Sequence, residues 1–204
     1  MCGRYSLYIK PTDLSLRYNT FNNNINFSPK NEIYPGENAP VITIDNNSDK
    51  KQLSLFNWGF SPAYINKKII NARAETIDQK KTFKKPFKNK RCIIPATSFF
   101  EWKNKGKNKI KHEIYIKNEK IFSLAGIYDE FTNKNGNKIT CYTIITTNAN
   151  KALEDIHNRM PVIITKEKED FWLKSSDYSK LKDLLTPYNQ KMKIENDNDQ
   201  LSLF

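Results

Sequence analysis

Cysteine and histidine, the side chains that most often bind metals or form cross-links, are scarce in this sequence. Its 204 residues include only 3 cysteines and 2 histidines. The cysteines, at positions 2, 92 and 141, are too few and too far apart for a disulfide framework or a zinc cluster. Cys92 and Cys141 lie in β-rich segments, where a free cysteine behaves as a small apolar core residue. We therefore expect no metal ion and no other cofactor.

Long apolar segments are also missing. No apolar run reaches the roughly 18 residues that cross a bilayer as a helix. The start of the chain, Met1-Cys2-Gly3-Arg4, does not resemble a secretory signal peptide. These absences predict a soluble protein of the cytoplasm that has no membrane partner.

Positive charge, in contrast, is plentiful. The chain has 34 Lys and Arg against 22 Asp and Glu, which gives a net charge of +12. Such a surface suits a polyanion such as nucleic acid, although abundant lysine could equally reflect genome composition. Two stretches concentrate the charge: segment 80–91, which contains no acid, and segment 103–111, in which lysine alternates with other residues. The alternation predicts that these lysines share one side of an extended hairpin, where the ordinary interpretation is a solvated surface.

Short β-rich segments separated by turns dominate the chain. Asn104-Lys105-Gly106-Lys107 and Asn135-Gly136 have the composition of hairpin turns. The spacing of apolar residues predicts a helix over 178–185, and 72–79 and 166–173 are weaker helix candidates.

These patterns predict an α+β protein with a single domain over residues 1–190. Its main feature is a mostly antiparallel β-sheet or open barrel with a few peripheral helices. Residues 191–204 are polar or charged for most of their length, and we expect them to form a flexible tail.

Cys2 follows the initiator Met1 directly and is small enough for an aminopeptidase to remove Met1. Residue 2 would then carry both a free α-amine and a thiol. The α-amine has a reference pKa of about 7.7–8.0, so much more of it is neutral at pH 7 than of a lysine amine. Such an aminothiol captures aldehydes, because the amine forms a Schiff base and the thiol closes it to a five-membered thiazolidine. Cys2 on its own could equally be an accident of position.

Three other segments each place polar residues in an apolar or β-rich context: 70–76, 99–102 and 155–161. Glu101 lies among aromatic residues, where desolvation raises the pKa of a carboxyl toward the range useful for acid–base catalysis. His157 is one of the two histidines, whereas His112 lies in a lysine-rich strand with no catalytic residue near it in sequence. Taken singly, Glu101 and His157 are each as compatible with a structural role as with a catalytic one.

Six short motifs together carry a resemblance to a known family. In chain order they are Met1-Cys2-Gly3-Arg4-Tyr5, Trp58-Gly59-Phe60, Ile70-Asn71-Ala72-Arg73-Ala74-Glu75-Thr76, Arg91-Cys92-Ile93-Ile94-Pro95-Ala96, Phe100-Glu101-Trp102 and His157-Asn158-Arg159-Met160-Pro161. The chain resembles the SRAP family (SOS response-associated peptidase), whose members shield abasic sites in single-stranded DNA by covalent attachment. The resemblance implies an SRAP-like fold and a DNA-damage role at the bacterial nucleoid.

The resemblance also implies roles for particular residues. Cys2 matches the residue that forms the thiazolidine with the ring-opened sugar. Asn71 matches a residue that orients the terminus or the sugar. Glu101 and His157 match the acid–base pair. Residues matching the DNA-contacting positions are Arg4, Arg73 and Arg159 for phosphates, and Trp58 and Phe60 for the kinked strand. A core role for Trp58 remains the alternative.

The chain departs from the family pattern at two places within the domain. Glu32 stands where many relatives have an asparagine that contacts DNA, which puts that contact in doubt. Tyr64 stands where a tryptophan usually follows the Trp-Gly segment. The C-terminus also ends sooner than in many relatives, so the closing strand is expected to be absent.

The last five residues resemble the peptide with which bacterial proteins bind the replication sliding clamp. Gln200, Leu201, Leu203 and Phe204 would be the binding residues, and the clamp is then a second partner. The same pentapeptide occurs at 52–56, where a buried strand is expected, so the string proves little without its context.

Three functional hypotheses stay open on the sequence. The first is an abasic-site cross-linking protein, expected as a monomer, that reverses the link or cleaves the strand by β-elimination. The second is a thiol peptidase that uses Cys2 and His157, with activity limited to removal of its own Met1. The third is a clamp-tethered DNA-binding module in which Cys2 is inert.

Overall fold

The computed structural model describes residues 2–21, 25–133 and 135–196. Within these ranges the strands are β1 (Tyr5–Leu7), β2 (Lys30–Ile33), β3 (Asn38–Ile44), β4 (Lys51–Trp58), β5 (Asn71–Arg73), β6 (Arg91–Ala96), β7 (Ser98–Lys105), β8 (Asn108–Ile116), β9 (Phe122–Thr132), β10 (Lys138–Asn148), β11 (Arg159–Pro161), β12 (Ile163–Ile164) and β13 (Met192–Asn196). The helices are α1 (Pro11–Tyr18), α2 (Lys81–Asn89), α3 (Glu169–Lys174) and α4 (Tyr178–Asp183), with short 3-10 turns at Ala74–Thr76 and Lys166–Lys168. None of these helices is long and apolar enough to span a membrane.

The larger sheet closes on itself as a five-stranded ring. β3 pairs with β4, β4 with β10, β10 with β9, β9 with β6, and β6 again with β3. All of these pairs are antiparallel except β4–β10, and β5 also runs parallel to β10. The predicted class, a single domain with a mostly antiparallel sheet and few helices, is confirmed, and the barrel is closed through its ladder.

The second sheet has the order β13-β8-β7-β1-β2. β1, the first strand of the chain, lies between β2 and β7. This central position fixes the residues just before β1 between other strands.

The core fills the ring and the space between the two sheets. Every residue of β6 is buried, as expected for a strand covered on both faces. Cys92 and Cys141 are among the fully buried residues, so their predicted core positions are confirmed. α2 packs its aromatic residues Phe83 and Phe87 inward and leaves its lysines exposed.

Several local predictions need correction. Segment 72–79 begins as β5 and continues as a 3-10 turn, because pairing with β10 outweighs its weak helix propensity. Residues 192–196 belong to β13, which pairs along its whole length with β8, so the flexible tail predicted from residue 191 is wrong for this segment. β13 is also an edge strand of its sheet, although the early end of the chain predicted that the closing strand would be absent. The helix predicted around Tyr178 and the helical segment after Thr165 are confirmed.

The alternating lysines do not share one side of their hairpin. Lys103 is registered with Ile110, whereas Lys109 and Lys111 are registered with Asn104 and Trp102. Registered residues of an antiparallel pair point to the same face. The turn at Gly106 therefore divides the lysines between the two faces, since the alternation does not continue in phase through a turn.

Candidate active site

Cys2 lies fully buried at the entrance to β1. The side-chain amide of Asn71 donates a hydrogen bond of 2.9 Å to the carbonyl oxygen of Cys2. On the other side, the backbone N–H of Phe100 donates to the carbonyl oxygen of Arg4 at 3.0 Å. The backbone around residue 2 is thus fixed from β5 and from β7, which lie in different sheets. Burial, and next the negative charge of Glu101, raise the pKa of the Cys2 thiol, so the thiol is protonated at neutral pH.

Glu101 lies on β7, and 2% of its surface is exposed. Antiparallel pairing of Tyr5 with Phe99 brings the start of the chain alongside this residue. Burial raises the pKa of Glu101 to about 7. A carboxyl with this pKa both gives and takes a proton at physiological pH, which is the property of an acid–base catalyst.

His157 lies in the turn between β10 and β11 and is half-buried. Its Nδ1 accepts a hydrogen bond of 3.0 Å from the backbone N–H of Arg159. Because Nδ1 is the acceptor, the neutral ring carries its proton on Nε2. Burial is the main cause that lowers the pKa of His157, so the ring is neutral at pH 7.

Arg159 is held within the protein by four hydrogen bonds. Its two terminal nitrogens contact the two carboxylate oxygens of Glu75 at 2.6 and 2.9 Å, the side chain of Asn148 at 2.8 Å and the carbonyl oxygen of Thr146 at 2.6 Å. The side chain thereby joins β11 to the turn that follows β5, across the end of β10. These donors are used internally, so in this structure Arg159 positions the segment carrying His157 and offers no terminal donor to a phosphate.

Replacing Arg159 with methionine is expected to lower the free energy of unfolding by about 2 kcal/mol, since hydrogen bonds to charged groups are lost. Hydrogen bonds from Arg159 hold the pKa of Glu75 below its ordinary 4.5. This contribution is present above pH 4.5 and lost as the pH falls, so the difference between Arg159→Met and wild type should shrink in acid. Urea unfolding at pH 7 and pH 4 measures both effects. Equal stability at pH 7 would contradict the assignment.

Arg4 and Arg73 lie nearer to solvent than Arg159. The Arg4 guanidinium carbon lies 4.3 Å from the ring centroid of Tyr34 and 4.9 Å from that of Trp102. It also forms an ion pair of 2.8 Å with Glu32. Arg73 follows Asn71 on β5, where the alternation of the strand leaves its side chain exposed. Both arginines therefore reach the surface close to the residues that hold Cys2.

Trp58 and Phe60 are both fully buried. The Trp58 ring packs edge-on against Tyr5 and parallel to Tyr142, with centroid distances of 5.2 and 6.2 Å. Its Nε1–H donates to the carbonyl oxygen of Ile70 at 3.0 Å, one residue before Asn71. This burial leaves neither ring a surface on which DNA could stack, so the expected stacking role is not available in this structure. The Trp58 ring instead contacts Tyr5 of β1 and the backbone just before Asn71, and so holds both segments in place.

Sequence reasoning missed two features next to the site. The hydroxyl groups of Tyr5 and Tyr142 form a buried hydrogen bond of 2.7 Å, and burial raises the pKa of Tyr5. The two residues are 137 positions apart, so no local pattern connects them. His112 is the registered cross-strand neighbour of Glu101, although the sequence offered no catalytic residue near it.

The described residues contain no cluster of His, Cys, Asp or Glu able to hold a metal ion. The arrangement consists of a buried, backbone-fixed Cys2, an amide that holds its carbonyl, and a carboxyl of raised pKa. A neutral imidazole lies on the segment that Arg159 holds. Such a set suits addition of a nucleophile to a carbonyl group with proton transfer.

Comparison with known proteins gives consistent matches. The family described as SOS response associated peptidase (SRAP) matches residues 1–200. "Abasic site processing protein YoqW" of Bacillus subtilis is 42% identical over 201 residues, covering 93% of this chain and 88% of that protein. "Abasic site processing protein YedK" of Escherichia coli is 28% identical, covering 85% and 80%.

Solved structures share the fold. A crystal structure of a protein from Bacteroides thetaiotaomicron has a TM-score of 0.84 at 33% identity, covering 98% of this chain and 94% of that chain. A protein from Bordetella bronchiseptica has a TM-score of 0.82, covering 96% and 99%, and its 21% identity makes it a likeness of fold.

Proposed function

We propose, from the premise that the chain belongs to the SOS response associated peptidase (SRAP) family, that it processes abasic sites in DNA. Relatives that are 40–42% identical over 93% of the chain carry the name abasic site processing protein, which supports this role. We further propose that Cys2 captures the sugar aldehyde of an abasic site in single-stranded DNA after removal of Met1, a residue outside the described ranges.

One observation carries the proposal: Cys2 is held by the Asn71 amide at its carbonyl oxygen, 2.9 Å away, beside a buried carboxyl whose pKa is about 7. A structural cysteine needs no such neighbour. An amine and thiol fixed in this way meet a bound aldehyde in an effectively unimolecular reaction, where effective molarities reach about 10⁵–10⁸ M.

The chemistry begins at the amine, because the thiol is protonated at neutral pH. The neutral α-amine of Cys2 adds to the aldehyde carbon and gives a carbinolamine. Protonated Glu101 gives a proton to the hydroxyl group, which leaves as water, and a protonated Schiff base and the Glu101 carboxylate remain. The sulfur then bonds to the same carbon, the C=N electron pair returns to the nitrogen, and the thiol proton passes to the Glu101 carboxylate. The products are one thiazolidine and one water molecule.

His157 is the second proton carrier in this proposal. Its Nε2–H donates, because Nδ1 is occupied by the Arg159 backbone. The Schiff base that precedes ring closure is also the intermediate from which β-elimination would cleave the strand, so lyase activity would follow if closure were slow. Arg73 and Arg4, which reach the surface near Cys2, would hold the phosphates beside the lesion.

The direct test is incubation of the wild-type protein with single-stranded DNA carrying one abasic site, and with the same strand intact. A denaturing gel and mass spectrometry should reveal an adduct only on the abasic strand, at the combined mass less one water molecule. Mass spectrometry of the free protein first establishes that Met1 has been removed. A processed protein that gives no adduct would contradict the proposal.

Blocking the terminus separates the amine from the thiol. A protein kept with Met1, or carrying an N-terminal tag, retains the Cys2 thiol but has no α-amine on that residue. It should bind intact single-stranded DNA within about twofold of the processed protein, since the phosphate contacts are unchanged, and should form no thiazolidine. The measurement is fluorescence anisotropy for binding and a denaturing gel for the adduct. An equal yield of stable adduct would rule out the role of the amine.

The thiol-peptidase hypothesis has less support, since burial and Glu101 raise the pKa of the Cys2 thiol and disfavour the thiolate such an enzyme needs. The sliding-clamp peptide at 200–204 lies outside the described residues, whereas its twin at 52–56 lies within β4. Clamp binding therefore stays a prediction. Deletion of 200–204 should abolish clamp pull-down, and unchanged pull-down would exclude it.

A further inference from the structure

The Glu32 carboxylate on β2 lies at the centre of a group of donors from different parts of the second sheet. One oxygen, Oε2, accepts from Arg4 at 2.8 Å and from the Tyr34 hydroxyl at 2.9 Å. The other, Oε1, accepts from the Lys111 ammonium group. Both oxygens are thus held by two cations and one hydroxyl group. We call Arg4, Lys111 and Tyr34 the anion subsite.

Aromatic rings give the two cations further contacts besides those with Glu32. The Arg4 guanidinium lies between the rings of Tyr34 and Trp102, and the Lys111 ammonium lies 4.5 Å from the ring centroid of Phe100. These contacts favour the same cation positions whichever anion is bound. The subsite is therefore preorganised for an anionic oxygen donor group.

A phosphodiester has the same recognition chemistry as a carboxylate. Both present anionic oxygens that accept charge-assisted hydrogen bonds, and the planar arginine group fits either. Glu32 is ionised at neutral pH: burial alone would raise its pKa, but hydrogen bonds from Lys111 and Tyr34 and nearby positive charge lower it. The structure thus presents an internal anion bound where an external one would fit.

The subsite is open to solvent and close to the proposed reaction centre. The side chains of Arg4, Glu32 and Lys111 are 27%, 23% and 25% exposed. Partly exposed ion pairs exchange partners readily, because water and salt screen them. Arg4 is two residues from Cys2, and its carbonyl oxygen is bound by the N–H of Phe100, the neighbour of Glu101. A phosphate here would lie next to the nucleotide presented to Cys2.

We propose that Arg4, Lys111 and Tyr34 form a phosphodiester subsite for single-stranded DNA, and that Glu32 occupies this subsite in the DNA-free protein and competes with the DNA phosphate. This rests on the proposed function only in taking DNA as the ligand. Release of Glu32 raises the net charge of the two cations and the carboxylate from +1 to +2 at the phosphate. Glu32 thus weakens binding to undamaged strands.

The test measures binding of an intact single-stranded oligonucleotide by fluorescence anisotropy over a range of salt concentrations. Glu32→Gln should tighten binding about three- to tenfold at low salt and steepen the plot of log affinity against log salt by about 0.7, the value for one further phosphate contact on a single strand. Asp129→Asn is the matched control, because Asp129 is also a partly exposed carboxylate paired with a lysine, Lys90, at 2.7 Å, and it lies on β9 in the other sheet. It should change affinity less than twofold.

A second pair of variants keeps the test independent of how well Glu32→Gln folds. Lys111→Met should weaken DNA binding and reduce the salt slope by about 0.7. Lys109→Met, on the same face of β8 two residues away, should have a smaller effect. If Lys111 only held Glu32 in place, Lys111→Met would weaken binding no more than Lys109→Met, and the subsite would be disproved.

The outcomes also separate this inference from the proposed function. In one outcome, the wild-type protein cross-links abasic DNA, but a folded Glu32→Gln variant binds intact DNA no more tightly than wild type. This outcome would overturn the proposed competition by Glu32 and leave the proposed function standing. Tighter binding by Glu32→Gln in a protein that forms no cross-link would support the subsite and overturn the covalent chemistry.

Discussion

Replacing Cys2 with alanine is expected to abolish the heat-stable adduct with abasic DNA while leaving the Schiff base intact. The variant keeps the α-amine after Met1 removal and can still form the C=N bond, but it has no sulfur to close the ring. The intramolecular advantage lost is large, at least about 10³-fold in adduct accumulation by comparison with typical effective molarities. Borohydride reduction before the denaturing gel should recover a covalent species from Cys2→Ala, and the gel without reduction should show none.

Cys141→Ala is the matched control, since Cys141 is also a fully buried cysteine, on β10. It should form the stable adduct at the wild-type rate, with some loss of stability from the small cavity. A stable adduct formed by Cys2→Ala without reduction would assign the attachment to another residue. Loss of the borohydride-trapped species as well would show that Cys2 also positions the aldehyde.

Replacing Glu101 with glutamine should slow adduct formation by about 10²–10⁴-fold, the usual contribution of a positioned acid–base group. Burial places the pKa of Glu101 at about 7, and the proposed mechanism uses its protonated form to expel water. Loss of this form should lower the wild-type rate above about pH 7, whereas Glu101→Gln should show only the rise with pH that the α-amine gives as it becomes neutral, with a reference pKa of about 7.7–8.0. Single-turnover rates from pH 5.5 to 8.5 measure this. Loss of rate above pH 7 in the variant as well would assign the titration to another group.

The same replacement should stabilise the protein at alkaline pH. The folded state raises the pKa of Glu101 from 4.5 to about 7, so it binds the proton more tightly than the unfolded chain. The resulting contribution to the free energy of unfolding is fully present below pH 4.5. It is lost as the pH rises through 7, which lowers the free energy of unfolding by about 3 kcal/mol. Glutamine has no charge to desolvate. At pH 8 the melting temperature of Glu101→Gln should exceed that of wild type by roughly 6–12 °C, and near pH 5 the difference should be small.

Glu169→Gln is the informative comparison, since Glu169 is equally buried and its carboxylate is held by an arginine and a hydroxyl group. Its carboxylate accepts hydrogen bonds from Arg17 at 2.6 and 3.1 Å and from Ser123 at 2.6 Å. The same substitution should therefore lower stability by about 1–3 kcal/mol, because a hydrogen-bonded charge pair is broken. If Glu101→Gln and Glu169→Gln changed the free energy of unfolding in the same direction at pH 8, the conclusion that the charge of Glu101 destabilises the folded protein would be wrong.

The sequence by itself determined the family and the class of fold. A cysteine behind Met1, six ordered motifs and β-rich segments with hairpin turns are local features, and each can be read from adjacent residues. The acid–base character of Glu101 was also predictable, since a carboxyl between aromatic residues is desolvated wherever those residues form a core. The family and the mostly antiparallel fold were confirmed; the roles of individual residues stay proposals.

Only the tertiary structure decided how the charged and aromatic residues are used. Arg159 and Arg4 look alike as basic residues in motifs, yet one is held by Glu75 and Thr146 inside the protein and the other binds a carboxylate at the surface. Trp58 matches a DNA-contacting position of the family, with a core role as the alternative, and closure of the barrel buries it. These outcomes depend on partners tens of positions away. The type of a residue sets its charge. Whether its side chain is free to contact DNA depends on which distant strands the fold brings beside it.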